Sequence, residues 1–327
     1  MEHHELFQKI IECIDAGTSF ALVQVLKTDG STPLKIGARA LVDSTGHIED
    51  TIGGGAVEAQ AQQQTVMACA EGKARVFDFE LHGTSRQDSN PTCGGAMRVL
   101  IDPTIARARP VFTQIVTAIH DRQPGILETR VTRGNDTEVT YQWQPLGDHQ
   151  DTPEFITRKD QDVLRNPILP LPHLIIAGAG HVGQALAVQA VLIGFAVTVL
   201  DDRPAFCTRA RFPVPVALLC QDMPGALSQC RLGPDTYIVI LTRSHQFDAA
   251  VLEACIQESI AYIGMIGSRR KIEVMRRDFV TAGLATAAQF ERVCAPIGLD
   301  IGSVTAAEIA TSITAQLIAV RRRGAQA

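Results

Sequence analysis

The residues whose types and spacing could do chemistry lie in a few separate stretches, and the most informative runs from Leu174 to Asp202, reading LIIAGAGHVGQALAVQAVLIGFAVTVLDD. Here Gly178, Gly180 and Gly183 fall in the G-x-G-x-x-G spacing directly after an apolar run. In a strand–turn–helix unit the first glycine allows the tight turn, the second lets the backbone approach a pyrophosphate, and the third lets the helix pack close on the strand. The helix N-terminus then offers free N–H groups and a positive dipole end to an anion. Asp201 lies roughly 20 residues beyond Gly178, where a carboxylate can take a ribose hydroxyl. His181, inside the glycine run, reads as a contact or a cap rather than a catalyst.

A second anion nest is expected at Gly53, Gly54 and Gly55, which precede a helix-favouring stretch carrying Glu58. Consecutive glycines free the backbone N–H groups to converge on a phosphate or a sulfur ligand, although a sharp turn needing positive φ is the plainer alternative. Cys93, followed by Gly94 and Gly95, ends the polar segment HGTSRQDSNPT and is the cysteine best placed to be accessible. It reads either as a metal or sulfur ligand or as a packed thiol. Ser268, Arg269 and Lys271 open a helix. Cations are unfavourable there unless an anion is present, so Arg269 and Lys271 suggest a phosphate clamp, with a solvated helix start as the alternative.

These groups need elements to hold them, and the pattern supplies two sets. Residues 1–144 read as an α+β domain, in which Leu6, Ile10 and Ile14 mark a helix, Phe20–Leu26 a buried strand, and 125–132 with 138–143 a hairpin. Residues 145–171, with Pro145, Pro153, Pro167 and Pro170, read as a linker, the boundary falling near residue 170. Residues 172–327 read as an α/β, Rossmann-like domain with a parallel sheet. Ligands sit beyond the carboxyl ends of such strands, so His181, Thr242, His245, Ser268 and Arg269 should share one crevice. His245 is a candidate proton donor. Thr305 and Glu308 form a capping-box pattern ahead of a last helix with Ile309, Ile313, Leu317 and Val320 on one face.

Composition narrows the class of partner. The chain has 327 residues, 46% hydrophobic and 20% charged, which is enough for two cores. A net charge of −5 argues against nucleic acid or an anionic membrane as the main partner. The first residues do not resemble a signal peptide, no apolar run is long enough to span a membrane, and the eight cysteines show no C-x-x-C pair. A cytoplasmic protein is expected.

Taken together, Gly53-Gly-Gly-Ala-Val-Glu58, Cys93-Gly-Gly95, Gly178-Ala-Gly-His-Val-Gly183, Tyr262-Ile-Gly-Met-Ile-Gly-Ser-Arg-Arg-Lys271 and Ala295-Pro-Ile-Gly-Leu-Asp-Ile-Gly302 make the sequence resemble the XdhC/CoxI family. These are accessory proteins of molybdenum hydroxylases such as xanthine dehydrogenase. The resemblance implies a chaperone that binds molybdenum cofactor, as molybdopterin or its dinucleotide form, protects it during sulfuration with a cysteine desulfurase, and delivers it to an apo molybdenum hydroxylase of xanthine dehydrogenase or aldehyde oxidoreductase type. It implies no turnover of its own, and a homodimer is expected. Two positions depart from the family pattern: Ala56 where members often carry cysteine, which leaves Cys93 as the main metal ligand, and Cys294 where they often carry histidine. An NAD(P)-dependent oxidoreductase on the same nucleotide-binding unit is the alternative, weakened by the lack of a convincing acid–base pair.

Overall fold

A computed structural model of the chain describes residues 3–49, 55–81, 95–134, 136–147 and 152–323. It divides into two compact units, Met1–Pro170 and Leu171–Ala327.

In the first unit, α1 (His3–Asp15) is followed by β1 (Phe20–Gly30), β2 (Arg39–Asp43), β3 (Ile48–Glu49), α2 (Gly55–Glu71), β4 (Arg75–Leu81) and β5 (Gly95–Asp102). These five strands form an antiparallel sheet in the order β3-β2-β1-β5-β4. β1 is central, and its alternation sends residues to two cores. Ala21, Val23 and Val25 join Ala61 and Ala68 of α2. Phe20 and Leu22 join Leu6, Phe7 and Ile10 of α1. That is why β1 reads as an unbroken apolar run rather than an alternating one.

After α3 (Arg109–His120), β6 (Gly125–Thr132) and β7 (Glu138–Pro145) form the expected hairpin. The stretch that reads as a linker then carries β8 (Glu154–Thr157) and β9 (Gln161–Ile168), which complete an antiparallel sheet in the order β7-β6-β9-β8. The prolines mislead because of where they fall. β8 pairs with β9 only as far as Arg165, so Pro167 sits where one side of β9 is open, and an open strand edge tolerates a residue without an N–H. Arg39 is buried beneath these strands, its guanidinium met by the amide oxygens of Gln24 and Asn166 at 2.8–3.1 Å. Burial pulls its pKa down to about 10.

The second unit begins with β10 (His173–Ala177), α4 (His181–Leu192), β11 (Ala196–Asp201) and β12 (Val216–Cys220). It continues through α5 (Met223–Ser228), β13 (Thr236–Ile240), α6 (His245–Glu253), β14 (Tyr262–Met265), α7 (Arg269–Thr281), α8 (Ala287–Glu291), β15 (Val293–Cys294) and α9 (Ala306–Arg323). All six strands are parallel, in the order β12-β11-β10-β13-β14-β15. Counted within the unit this is 3-2-1-4-5-6, the doubly wound Rossmann order, with its switch point between β10 and β13. β15 falls in a stretch that the sequence pattern presents only as a loop. At two residues it is too short to show a period, and its pairing with Ile263 and Gly264 defines it. α9 carries the expected capping box, with Glu308 N donating to Thr305 Oγ1 and Thr305 N donating to Glu308 Oε2. Its apolar face, with Ile313, Leu317 and Val320 buried, packs with α4 and the strands of the sheet.

Candidate functional site

The glycine turn after β10 has the geometry that its spacing demands. Gly178 has φ +123, a left-handed conformation that a side chain resists, and a Cβ on it would run into the Leu241 carbonyl at the end of β13. A Cβ on Gly183 would strike the Gly178 carbonyl, so α4 packs against its own strand only with glycine there. Gly180 is the contrast, since a Cβ there would meet nothing within 4 Å. Space is left open above the residue that caps α4, and Gly180 supplies no side chain to satisfy the first-turn N–H groups. His181, the first helical residue, is exposed. The turn therefore presents N–H donors that no described residue caps, and a positive helix end, to open space, which is the chemistry of an anion site.

Asp201, expected to meet a ribose, is occupied within the chain. Its Oδ2 accepts from Ala179 N (2.8 Å) and Arg203 Nη2 (2.8 Å), and its Oδ1 accepts from Arg203 N (3.0 Å) and Nε (2.8 Å). Burial alone would push its carboxyl up, but the Arg203 guanidinium and the two backbone N–H groups outweigh that and hold it below the ordinary range. These bonds tie the loop after β11 to the glycine turn. Arg211 closes the same loop from its far end, donating to Ala179 O (3.2 Å), while its own carbonyl accepts from Gln184 of α4 (2.7 Å). Arg203 and Arg211 both lie against the Phe206 ring, at 3.6 and 4.7 Å from its centroid.

The expected clamp separates into two jobs. Lys271 donates to Asp248 Oδ2 (2.9 Å), and the fully buried Asp248 also accepts from Thr242 Oγ1 (2.6 Å). Its charge is thus spent on the carboxylate that joins α6 to α7. Arg269 is exposed and has no ion-pair partner among the described residues, so it is the cation left for an outside anion. Ser268 caps α7, accepting from Lys271 N (3.4 Å). His245 opens α6 with its Nδ1 buried and unpartnered among the described residues. The structure thus places Gly178, Gly180, His181 and Thr242 at the ends of the adjacent strands β10 and β13, and Ser268 and Arg269 beyond β14, the next strand of the sheet.

In the first unit, Gly55 begins α2 and Glu58 stands in its first turn, partly exposed. Gly53, Gly54, Cys93 and Gly94 lie outside the described residues. Gly95 opens β5 paired with both Gly30 and Leu81, and a Cβ there would collide with the Asp29 and Ser31 carbonyls.

Comparison with known proteins agrees with this architecture. Residues 174–317 match the XdhC Rossmann domain and residues 13–80 match the XdhC and CoxI family, together well over half of the chain. The chain belongs to the XdhC/CoxI family. It is 25% identical to a Bacillus subtilis protein named as a probable xanthine dehydrogenase subunit, over 98% of both chains. It is 20% identical to the molybdenum cofactor insertion chaperone PaoD of Escherichia coli, over 98% of this chain and 89% of that one. It is 26% identical to the uncharacterized protein YqeB of E. coli over 97% of its length, but spans only 46% of that relative. A crystal structure of a xanthine dehydrogenase from Bacillus halodurans shares the fold, with a TM-score of 0.80, 21% identity and coverage of 97% of this chain and 96% of that one.

Within this XdhC-type unit, sequence reading missed Arg203, Arg211, Asp202, Arg243 and Asp248. A signal was present for the loop, since DDRPAFCTRARFP packs several arginines directly after the acid. None was present for Asp248, which looks like an ordinary first-turn acid until α7 brings Lys271 to it. Cys294 is partly buried, and burial pushes its thiol pKa up. That environment suits a packed thiol better than a nucleophile.

Proposed function

We propose that this XdhC-type protein binds molybdenum cofactor, protects it during sulfuration with a cysteine desulfurase, and delivers it to an apo molybdenum hydroxylase of the xanthine dehydrogenase or aldehyde oxidoreductase type. The observation that carries the reading is the start of α4, where Gly180 leaves open space beside N–H groups that no described side chain caps. A pterin phosphate, or the pyrophosphate of a dinucleotide form, fits that chemistry. The names of the B. subtilis relative and of PaoD support it.

In this reading Gly178, Gly180, His181 and Gly183 hold phosphate, with Arg269 as the nearby cation and Ser268 and Lys271 shaping its helix. In the first unit Gly53, Gly54, Gly55, Glu58 and Gly94 are the candidate cradle, and Cys93 is the candidate thiolate ligand, a soft donor suited to a sulfur-rich metal site. Among the described residues no group of three or more His, Cys, Asp or Glu side chains is gathered to hold a metal. When bound, the cofactor supplies the redox metal that the client enzyme uses. The chain's own residues bind and orient it. We place this activity in the cytoplasm and in a homodimer, and no described helix is long and apolar enough to cross a membrane.

The NAD(P)-dependent oxidoreductase reading is less well supported, because both oxygens of Asp201 are already engaged by Ala179 and Arg203. The test is purification from a host that makes the cofactor, followed by elemental analysis and cofactor release. Molybdenum with pterin is expected, reduced by Cys93→Ala. Tight NAD(P)H binding with hydride transfer, and no molybdenum, would overturn the proposal.

A further inference from the structure

The loop that follows β11 carries an arrangement with no part in phosphate binding. Asp201 ends β11, and its register partner on β12 is Cys220. Cys207 folds back from that loop so that its Sγ lies 3.5 Å from the Asp201 carbonyl oxygen. Two thiols from different segments are thereby brought to the same residue, Cys207 at the Asp201 carbonyl and Cys220 at the register position opposite Asp201 on the neighbouring strand. Cys220 is exposed, on the edge strand of the sheet, and Cys207 is half-buried. A pair with one accessible thiol and one sheltered neighbour is how an attacking and a resolving cysteine are arranged. The segment between them belongs to the loop whose Arg203 and Arg211 hold Asp201 and Ala179.

We propose that Cys207 and Cys220 form a reversible thiol–disulfide site that reacts with low-molecular-weight disulfides and, when closed, ties the loop over 202–215 to the sheet edge. The Cys220 thiolate attacks a disulfide such as oxidised glutathione. One glutathione thiolate leaves and the other half remains on Cys220 as a mixed disulfide. The Cys207 thiol gives up its proton to solvent, attacks the Cys220 sulfur and expels the second glutathione thiolate. The two protein thiols are oxidised to one disulfide, and the small disulfide is reduced to two thiols. Burial and the neighbouring thiol push the Cys207 pKa up, so before Cys220 reacts Cys207 stays protonated, as a resolving group should. In a reducing compartment such a bond is transient and is reopened by the same exchange run backwards.

The inference does not depend on the cofactor reading, and its test needs no cofactor. The native full chain is treated with oxidised glutathione, alkylated, digested with trypsin and mapped by mass spectrometry without reduction. Arg209 and Arg211 lie between the two cysteines, so trypsin cuts the segment and an internal disulfide holds the fragments together. The expected result is loss of two of the eight thiols and a Cys207–Cys220 linked peptide that reduction separates. Fragmentation distinguishes Cys220 from Cys230 on the same peptide. Cys207→Ser should instead trap a stable glutathione adduct on Cys220, and Cys220→Ser should show neither adduct nor link. A stable adduct on Cys220 in the unsubstituted protein, or no loss at either thiol, would overturn the proposal.

Discussion

Asp202 and Arg243 form a two-point ion pair, with Arg243 Nη2 2.7 Å from Asp202 Oδ2. Asp202 follows β11 and Arg243 follows β13, and β10 lies between those strands. The pair therefore spans the end of the strand that leads into Gly178. The Arg243 guanidinium also stacks 4.1 Å from the Phe247 ring centroid, and its presence holds the Asp202 carboxyl below the usual range. An anion bound at the glycine turn would compete with Asp202 for Arg243. Asp202→Ala should raise affinity for pyrophosphate on the order of fivefold and Arg243→Ala should lower it similarly, both effects shrinking with added salt. Calorimetric titration with pyrophosphate at two ionic strengths measures this. Equal affinity in both variants would remove Arg243 from the site.

The three glycines of the turn should part company under substitution. Gly180→Ala enters open space, so stability should change by about 0.5 kcal/mol or less while phosphate binding weakens about tenfold. Gly183→Ala forces a methyl against the Gly178 carbonyl and should cost about 2 kcal/mol. Urea denaturation of the two variants separates these effects.

Asp201 should matter to stability and to its pH dependence. Asp201→Asn keeps the shape but removes the charge facing Arg203, and a loss of about 2 kcal/mol is expected, less than for a fully buried pair because Arg203 is partly exposed. The folded carboxyl is held below its unfolded value of about 4. Its contribution is therefore complete above that value and disappears as pH falls through the folded value. The gap in denaturation midpoint between wild type and variant should be constant near neutrality and close in acid.

Lys271 and Arg269 offer a sharper contrast. Lys271→Met takes from the buried Asp248 its cation, leaving Thr242 as its side-chain partner among the described residues, and should destabilise by about 2–3 kcal/mol. Arg269→Ala should leave stability within about 0.5 kcal/mol and weaken phosphate binding. Thermal denaturation and phosphate titration of both variants check the division; a loss of stability in Arg269→Ala would contradict it.

Much of the second unit was legible in the sequence by itself. The strand, the spacing of Gly178, Gly180 and Gly183, the helix and the following acid are local patterns, set by backbone sterics and by neighbours within a turn or a pleat. They specified the nucleotide-binding unit, and the Thr305–Glu308 box likewise specified the start of α9. Only the tertiary structure decided what the charged groups do. Asp201 became a brace for the glycine turn, and Lys271 a partner of buried Asp248 23 residues away. It also decided that Cys207 and Cys220 both come to Asp201, and that the proline-rich stretch before residue 170 pairs into β8 and β9. The physical reason is common to these cases: a charge or thiol takes the partner that the packing of separate elements brings within reach. Sequence spacing carries the periodicity of an element and not the identity of its neighbours.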